Sequence, residues 1–122
     1  MSYDLALWVG PPPANDVAAA EEFVRRTAYL EDEDEFAELA AATPQVRAFL
    51  DELLLRFPPL TALDVDENTP WATGPEPGDV NGDFVYLTMT YPGARRVCDG
   101  IVAIARRHAL VCYDPQLEQV VS

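Results

Sequence analysis

Few side chains in this sequence combine a reactive type with a usable spacing. The one histidine, His108, stands four residues before Cys112, a separation from which an imidazole could take a thiol proton. Both residues also have a plainer reading. His108 falls at the end of an amphipathic run, where a protonated ring favours the helix dipole. Cys112 and the second cysteine, Cys98, occupy apolar surroundings, as small buried thiols do. The serines are Ser2 and Ser122, far from any element that would orient them for a Ser-His-Asp system.

Metal spacings fail in the same way. Asp64, Asp66 and Asn68 open like a calcium loop, but Thr69 stands where that loop needs glycine and Pro75 where it needs glutamate. The stretch from Asp79 to Phe84 fails at position twelve, which is Thr90. Both read as turns. Two cysteines without a CxxC give neither a disulfide framework nor a zinc set, and no glycine-rich phosphate loop is present. The sequence therefore predicts a protein that is not an enzyme and holds no metal or cofactor.

Carboxylates are the one group in excess. Eight arginines and no lysine oppose 21 Asp and Glu, for a net charge of −13. That sign disfavours a phosphate backbone and an anionic membrane, and suits a cationic protein. The acids form two pools. Glu31, Glu33 and Glu35 belong to the unbroken run 31–35. Asp64, Asp66, Glu67, Glu76, Asp79 and Asp83 lie in a stretch rich in Pro, Gly and Asn that also holds Trp71. The arginines have helical partners four residues away (Glu21 with Arg25, Glu22 with Arg26, Glu52 with Arg56). The acidic pools have no such neighbours, and are the expected partner-binding residues.

The elements that must carry these groups follow from periodicity. Tyr3–Val9 reads as a strand stopped by Gly10 and Pro11–Pro13. Asn15 caps a helix with the stripe Val17, Ala20, Val24 and Ala28, widened by Phe23 and Leu30. Residues 36–42 are a further helical candidate. Thr43 and Pro44 open a helix whose face is Val46, Phe49, Leu50, Leu53, Leu54 and Phe57, stopped at Pro58. A brief strand is expected near Trp71. Asn81-Gly82 signals a turn before the strand Phe84–Tyr91. Ala94, Val97, Cys98, Ile101, Ile104 and Ala105 mark a third helix to about His108, followed by the strand Leu110–Tyr113. This order predicts one α+β domain over 1–122: a four-stranded, largely antiparallel sheet with helices on one face, a split β-α-β, ferredoxin-like arrangement with an extra helix. Without a membrane-length apolar run or a basic-then-apolar start, a cytoplasmic location is expected.

In that topology the end of the last strand lies beside the start of the first, so Tyr3-Asp4 and Tyr113-Asp114 become neighbours. Alternation places Leu5, Leu7, Val9, Val111 and Tyr113 toward the core. Asp4, Trp8, Tyr86 and Asp114 would share the helix-free face, as an aromatic surface with an acidic rim. Asp-Pro also ends strands routinely, so the pair has a structural reading beside the functional one.

The segments "YDLALW" at Tyr3–Trp8, "PW" at Pro70-Trp71, "FVYLTM" at Phe84–Met89 and "HALVCYDPQ" at His108–Gln116 resemble a family of small acidic bacterial proteins, frequent in actinobacteria. Relatives often carry Gly where this chain has Ala109. The resemblance brings no activity and no functional residue with it. In size and acidity such proteins are similar to the immunity proteins of polymorphic-toxin systems. The expected function is accordingly an acidic binding protein that neutralises a basic, nuclease-type toxin. The alternative is a small-molecule-binding or enzymatic domain, with a pocket between residues 61–83 and the open sheet face using Trp8, Trp71, Tyr86 and Asp114. A homodimer through that face is the third reading.

Overall fold

The computed structural model describes residues 3–28, 41–57, 71 and 80–121. The chain runs β1 (Tyr3–Trp8), α1 (Asp16–Arg26), α2 (Pro44–Arg56), β2 (Val80–Asn81), β3 (Phe84–Met89), α3 (Tyr91–Arg107), β4 (Val111–Asp114) and β5 (Gln119–Val120). Each helix starts where a side-chain oxygen takes up a first-turn N–H that has no partner within the helix. Ala18 N donates to Asn15 Oδ1 at 2.8 Å, Val46 N to Thr43 Oγ1 at 3.4 Å and Gly93 N to Thr90 Oγ1 at 3.0 Å. Prolines in the first turns of α2 and α3 lack only an N–H that would have had no helical acceptor.

The end of α3 closes differently. Ala109 N donates to Arg106 O at 3.1 Å and Leu110 N to Ala105 O at 3.0 Å, with Ala109 at φ 56°. This is the left-handed residue that glycine usually supplies after a helix. Alanine holds it at a cost of about 1 kcal/mol. Gln45 Nε2 secures the turn by donating to His108 O at 2.5 Å.

The strands form one antiparallel sheet in the order β2-β3-β1-β4-β5. Gly82, at φ 65°, takes the first central position of the β2–β3 turn, where a positive φ is needed. Trp71 adds an isolated bridge to Met89 at the far end of β3. Leu5, Leu7, Val85, Leu87, Met89 and Cys112 point to one face and pack under α2 and α3, against Val46, Phe49, Leu50, Leu53, Ile101 and Ile104. Ala6, Trp8, Phe84, Val111 and Tyr113 point to the other, where Ala19 and Phe23 of α1 meet them. No helix among the described residues is long and apolar enough to cross a membrane.

The α+β class and the antiparallel sheet agree with the sequence reading, whereas strand number and helix placement differ. A fifth strand follows the turn after Asp114, so β4 lies inside the sheet. Two residues are too few for periodicity to reveal such a strand. The face expected to be free of helices is covered by α1. The expected stripe of that helix divides: Val17 and Val24, at 68% and 67% exposure, and Ala28 point outward, while Ala20 and Phe23 turn inward together with Ala19. A sheet face carrying Trp8, Phe84 and Tyr113 is too apolar to leave in water, and small alanines let a helix approach the rings closely. Residues 36–40 of the further helical candidate, and the Pro58 stop, lie outside the described residues; Ala41 and Ala42 are not helical.

Candidate functional site

Antiparallel pairing of β1 with β4 sets Ala6 opposite Tyr113 and so brings the two Tyr-Asp pairs together. The Tyr3 hydroxyl donates to Asp114 Oδ2. Tyr86 donates its hydroxyl to Asp4 Oδ2 at 2.7 Å. Gln116 joins the halves: its Nε2 donates to Asp4 O and to Asp114 Oδ1, each at 2.7 Å, and its Oε1 accepts from Asp4 N at 2.6 Å. The turn after β4 completes the arrangement, with Gln116 N and Leu117 N donating to Asp114 Oδ1 at 2.9 and 3.1 Å. Asp114 is only 2% exposed. A carboxylate so buried is tolerable only when hydrogen bonds replace its water, and both of its oxygens have such bonds.

This corner does not share one face as expected. Because Ala6 faces Tyr113, it is Tyr113 that sits on the Trp8 side, and Asp114 lies on the side of Tyr3 and Leu5. All four residues of β4 are buried, so apolar alternation carries no information about its phase. Trp8, expected at the centre of an open surface, is 2% exposed beneath α1, with Phe84 stacked at 6.4 Å and the Arg26 guanidinium 5.7 Å above it. Tyr86 is half-buried and stacks on Phe23 at 6.3 Å. The face that was to form the alternative pocket is therefore occupied by the molecule's own helix.

Beside Asp114 lies a cleft of about 380 Å³ between α3 and the β4–β5 hairpin. Its floor is Tyr3, Leu5 and Cys98, its walls Val102, Leu117 and Val121, and its charged rim Asp99 and Arg106. Burial, and then the nearby Asp114 and Asp99 carboxylates, push the Cys98 thiol up to about 11. Burial also raises Cys112, and burial together with the Asp114 hydrogen bond raises the Tyr3 phenol well beyond its usual range. None of these groups ionises near neutral pH, so the cleft offers no thiolate nucleophile. The two cysteines form no disulfide. His108 Nε2 lies 3.0 Å from Glu52 Oε1, and the ring meets Phe49 edge-on, so its polar contact is with a carboxylate on α2. Among the described residues no group of three or more His, Cys, Asp or Glu side chains is placed to hold a metal ion.

The acidic pools divide. Glu31, Glu33, Glu35, Asp64, Asp66, Glu67, Glu76 and Asp79 lie outside the described residues. Asp83, expected to lack a cation, accepts from Arg26 Nη1 at 2.9 Å. Glu22 binds both Arg25 and Arg26, which holds its carboxyl below the usual range through the Arg25 hydrogen bond first. Glu52, expected to pair with Arg56, instead binds Arg107 and His108. Trp71 is 1% exposed in the core under α2 and α3, where its indole Nε1 donates to Phe57 O at 3.0 Å. That hydrogen bond satisfies the ring's single donor and makes burial of the whole side chain favourable. Gln116 was missed by sequence reasoning; its place directly after Asp-Pro is the one signal that could have marked it. No family model, no curated protein and no solved structure matches the chain.

Proposed function

We propose that this protein is an acidic, non-catalytic binding protein that neutralises a basic bacterial protein. A nuclease-type toxin fits best, since its nucleic-acid-binding surface must be cationic. The observation that carries this reading is the distribution of charge. The described residues contain all eight arginines and ten carboxylates, a net of −2. The other eleven carboxylates fall in 29–40 and in 58–79, with no arginine among them, so most of the −13 belongs to two stretches.

Three of the four flanks of those stretches meet at one turn, while Phe57 stands at the other end of α2. Arg26 binds Asp83, Thr43 N donates to Gly82 O at 3.0 Å, and Val80 opens the strand that enters the same turn. Charge concentrated in two stretches of the sequence beside a nearly neutral frame favours steering over tight burial. Such fields raise association rates by about 10 to 1,000-fold at low salt.

The test is affinity capture from the native host's lysate at low and moderate salt, followed by association kinetics on the captured protein. We expect one basic protein, held stoichiometrically and released by salt. Its on-rate should fall about tenfold, with a flatter salt dependence, when Glu31, Glu33 and Glu35 become Gln. Capture of nothing from cells that express the neighbouring genes, or an unchanged on-rate in the variant, would refute the proposal.

A further inference from the structure

We propose that the cleft between α3 and the β4–β5 hairpin binds a short apolar peptide of two or three residues with both ends free. The argument begins with α3. Asp99, Val102 and Arg106 are spaced i, i+3, i+7 and so form one stripe along the helix, with the two charges about 10 Å apart along its axis. Both are exposed, and among the described residues neither forms an ion pair. Arg25, Arg26, Arg47 and Arg107, by contrast, each bind a carboxylate.

Between these opposite charges the cleft is mostly apolar, with the Tyr3 hydroxyl and the Asp114 carboxylate already bonded to each other in its lining. Val102 faces the hairpin residues Leu117 and Val121, and Leu117 is left 57% exposed. The volume, about 380 Å³, lies within the range of small-ligand sites. The floor is fixed in advance, because Asp114 ties Tyr3, Gln116 and Leu117 together through bonds that leave it no need of a ligand. The occupant implied is apolar in its middle, with an ammonium at the Asp99 end and a carboxylate for the Arg106 fork. An extended chain advances 3.3–3.6 Å per residue, so two or three residues separate such ends by about 7–10 Å. Net charge supports the same class. A zwitterion is indifferent to a −13 protein, whereas a lone anion is repelled and a lone cation is drawn to the acidic stretches instead.

The probe is the tripeptide Leu-Ala-Leu, titrated into the full chain and followed by amide chemical shifts. Parallel titrations use its N-acetylated form, its C-amidated form, and free leucine, which is too short to reach both charges. Saturable shifts are expected at Val102, Leu117 and Val121. Each cap should weaken binding about two- to five-fold, the worth of an exposed ion pair. Asp99→Asn should abolish the penalty of acetylation alone, and Arg106→Gln that of amidation alone. Among the described residues neither side chain forms an ion pair, so the folded spectrum persists in either variant. No saturable shift at 10 mM peptide, on the order of the weakest useful affinity, would overturn the proposal. So would binding that ignores both caps, or free leucine binding as well as the tripeptide.

Discussion

The two faces of the sheet solve the same problem with different materials. Under α2 and α3 the sheet itself presents aliphatic side chains, with Phe49 and Trp71 among the residues that cover them, and two helices seal Leu5, Leu7, Val85, Leu87 and Met89. Under α1 the sheet presents rings: Trp8 against Phe84, and Phe23 of the helix tilted onto Tyr113 at 5.2 Å. One helix of 11 residues suffices there, because large flat side chains fill the layer themselves and Arg26 covers the remaining edge of Trp8. The aromatic layer is thinner and more polar at its border, with Glu22, Arg26 and Asp83 bound together at its rim. The lesson is that ring size can replace a second covering helix, but leaves stability spread over polar contacts as well as packing.

The sharpest way to break this comparison is to cut one ring from each face. Phe49, fully buried on the inner face of α2, should cost about 3–5 kcal/mol as Phe49→Ala. Phe23→Ala, at a half-buried position on α1, should cost about 1–2 kcal/mol, discounted for the exposure that remains. Urea unfolding of both variants gives the two numbers directly. Equal losses would mean that α1 is as essential as the two-helix side, and the contrast would fail.

A smaller effect separates the faces by pH. Cys98 and Cys112 belong to the aliphatic side, and their thiols are raised above the ordinary 9.0, Cys98 to about 11. The unfolded chain ionises them first, so their contribution is intact below pH 9 and is lost as the pH rises toward 11. Glu22 belongs to the α1 side, and the Arg25 and Arg26 pairs lower it from the ordinary 4.5. Its contribution is present above that value and is lost as the pH falls through the lowered one. Melting curves from pH 3 to 11 should therefore fall at both ends, with Cys98→Ala softening only the alkaline loss and Glu22→Gln only the acid loss. Either variant acting at the opposite end would contradict the assignment.

The smallest effect lies at the join between α3 and β4. Ala109→Gly should stabilise by about 0.5–1 kcal/mol, because relief of the positive φ exceeds the extra freedom that glycine gives the unfolded chain. Differential scanning calorimetry would show this as a rise of about 2–5 °C. A fall in melting temperature would mean that the Ala109 turn is not strained.

Much of this architecture is legible in the residues alone. Asn15, Thr43 and Pro44 mark their helix starts because capping is local chemistry, and the α2 stripe is unambiguous because its apolar residues are large. On α1 the signal splits. Alanines at 18, 19, 20 and 28 fit more than one phase, and the choice was made by the rings across the interface, which no helical period contains. β4 fails for the related reason that both of its faces are buried. At the corner, the meeting of Tyr3 with Asp114 follows from antiparallel order. The part played by Gln116 does not, since it depends on backbone groups of Asp4, 112 residues away. The charged rim of the cleft was invisible because Asp99 and Arg106 matter only once the hairpin stands opposite them.

The convergence of Arg26, Thr43 and Val80 on the Gly82–Asp83 turn has a further meaning for how such a protein could change over time. The stretch between α1 and α2 leaves and returns at one hydrogen-bonded point, so its two ends are held together whatever its length. Doubling a loop between fixed ends costs only about 0.6 kcal/mol. A lineage can therefore lengthen or shorten that stretch while its two ends stay pinned at the Gly82–Asp83 turn.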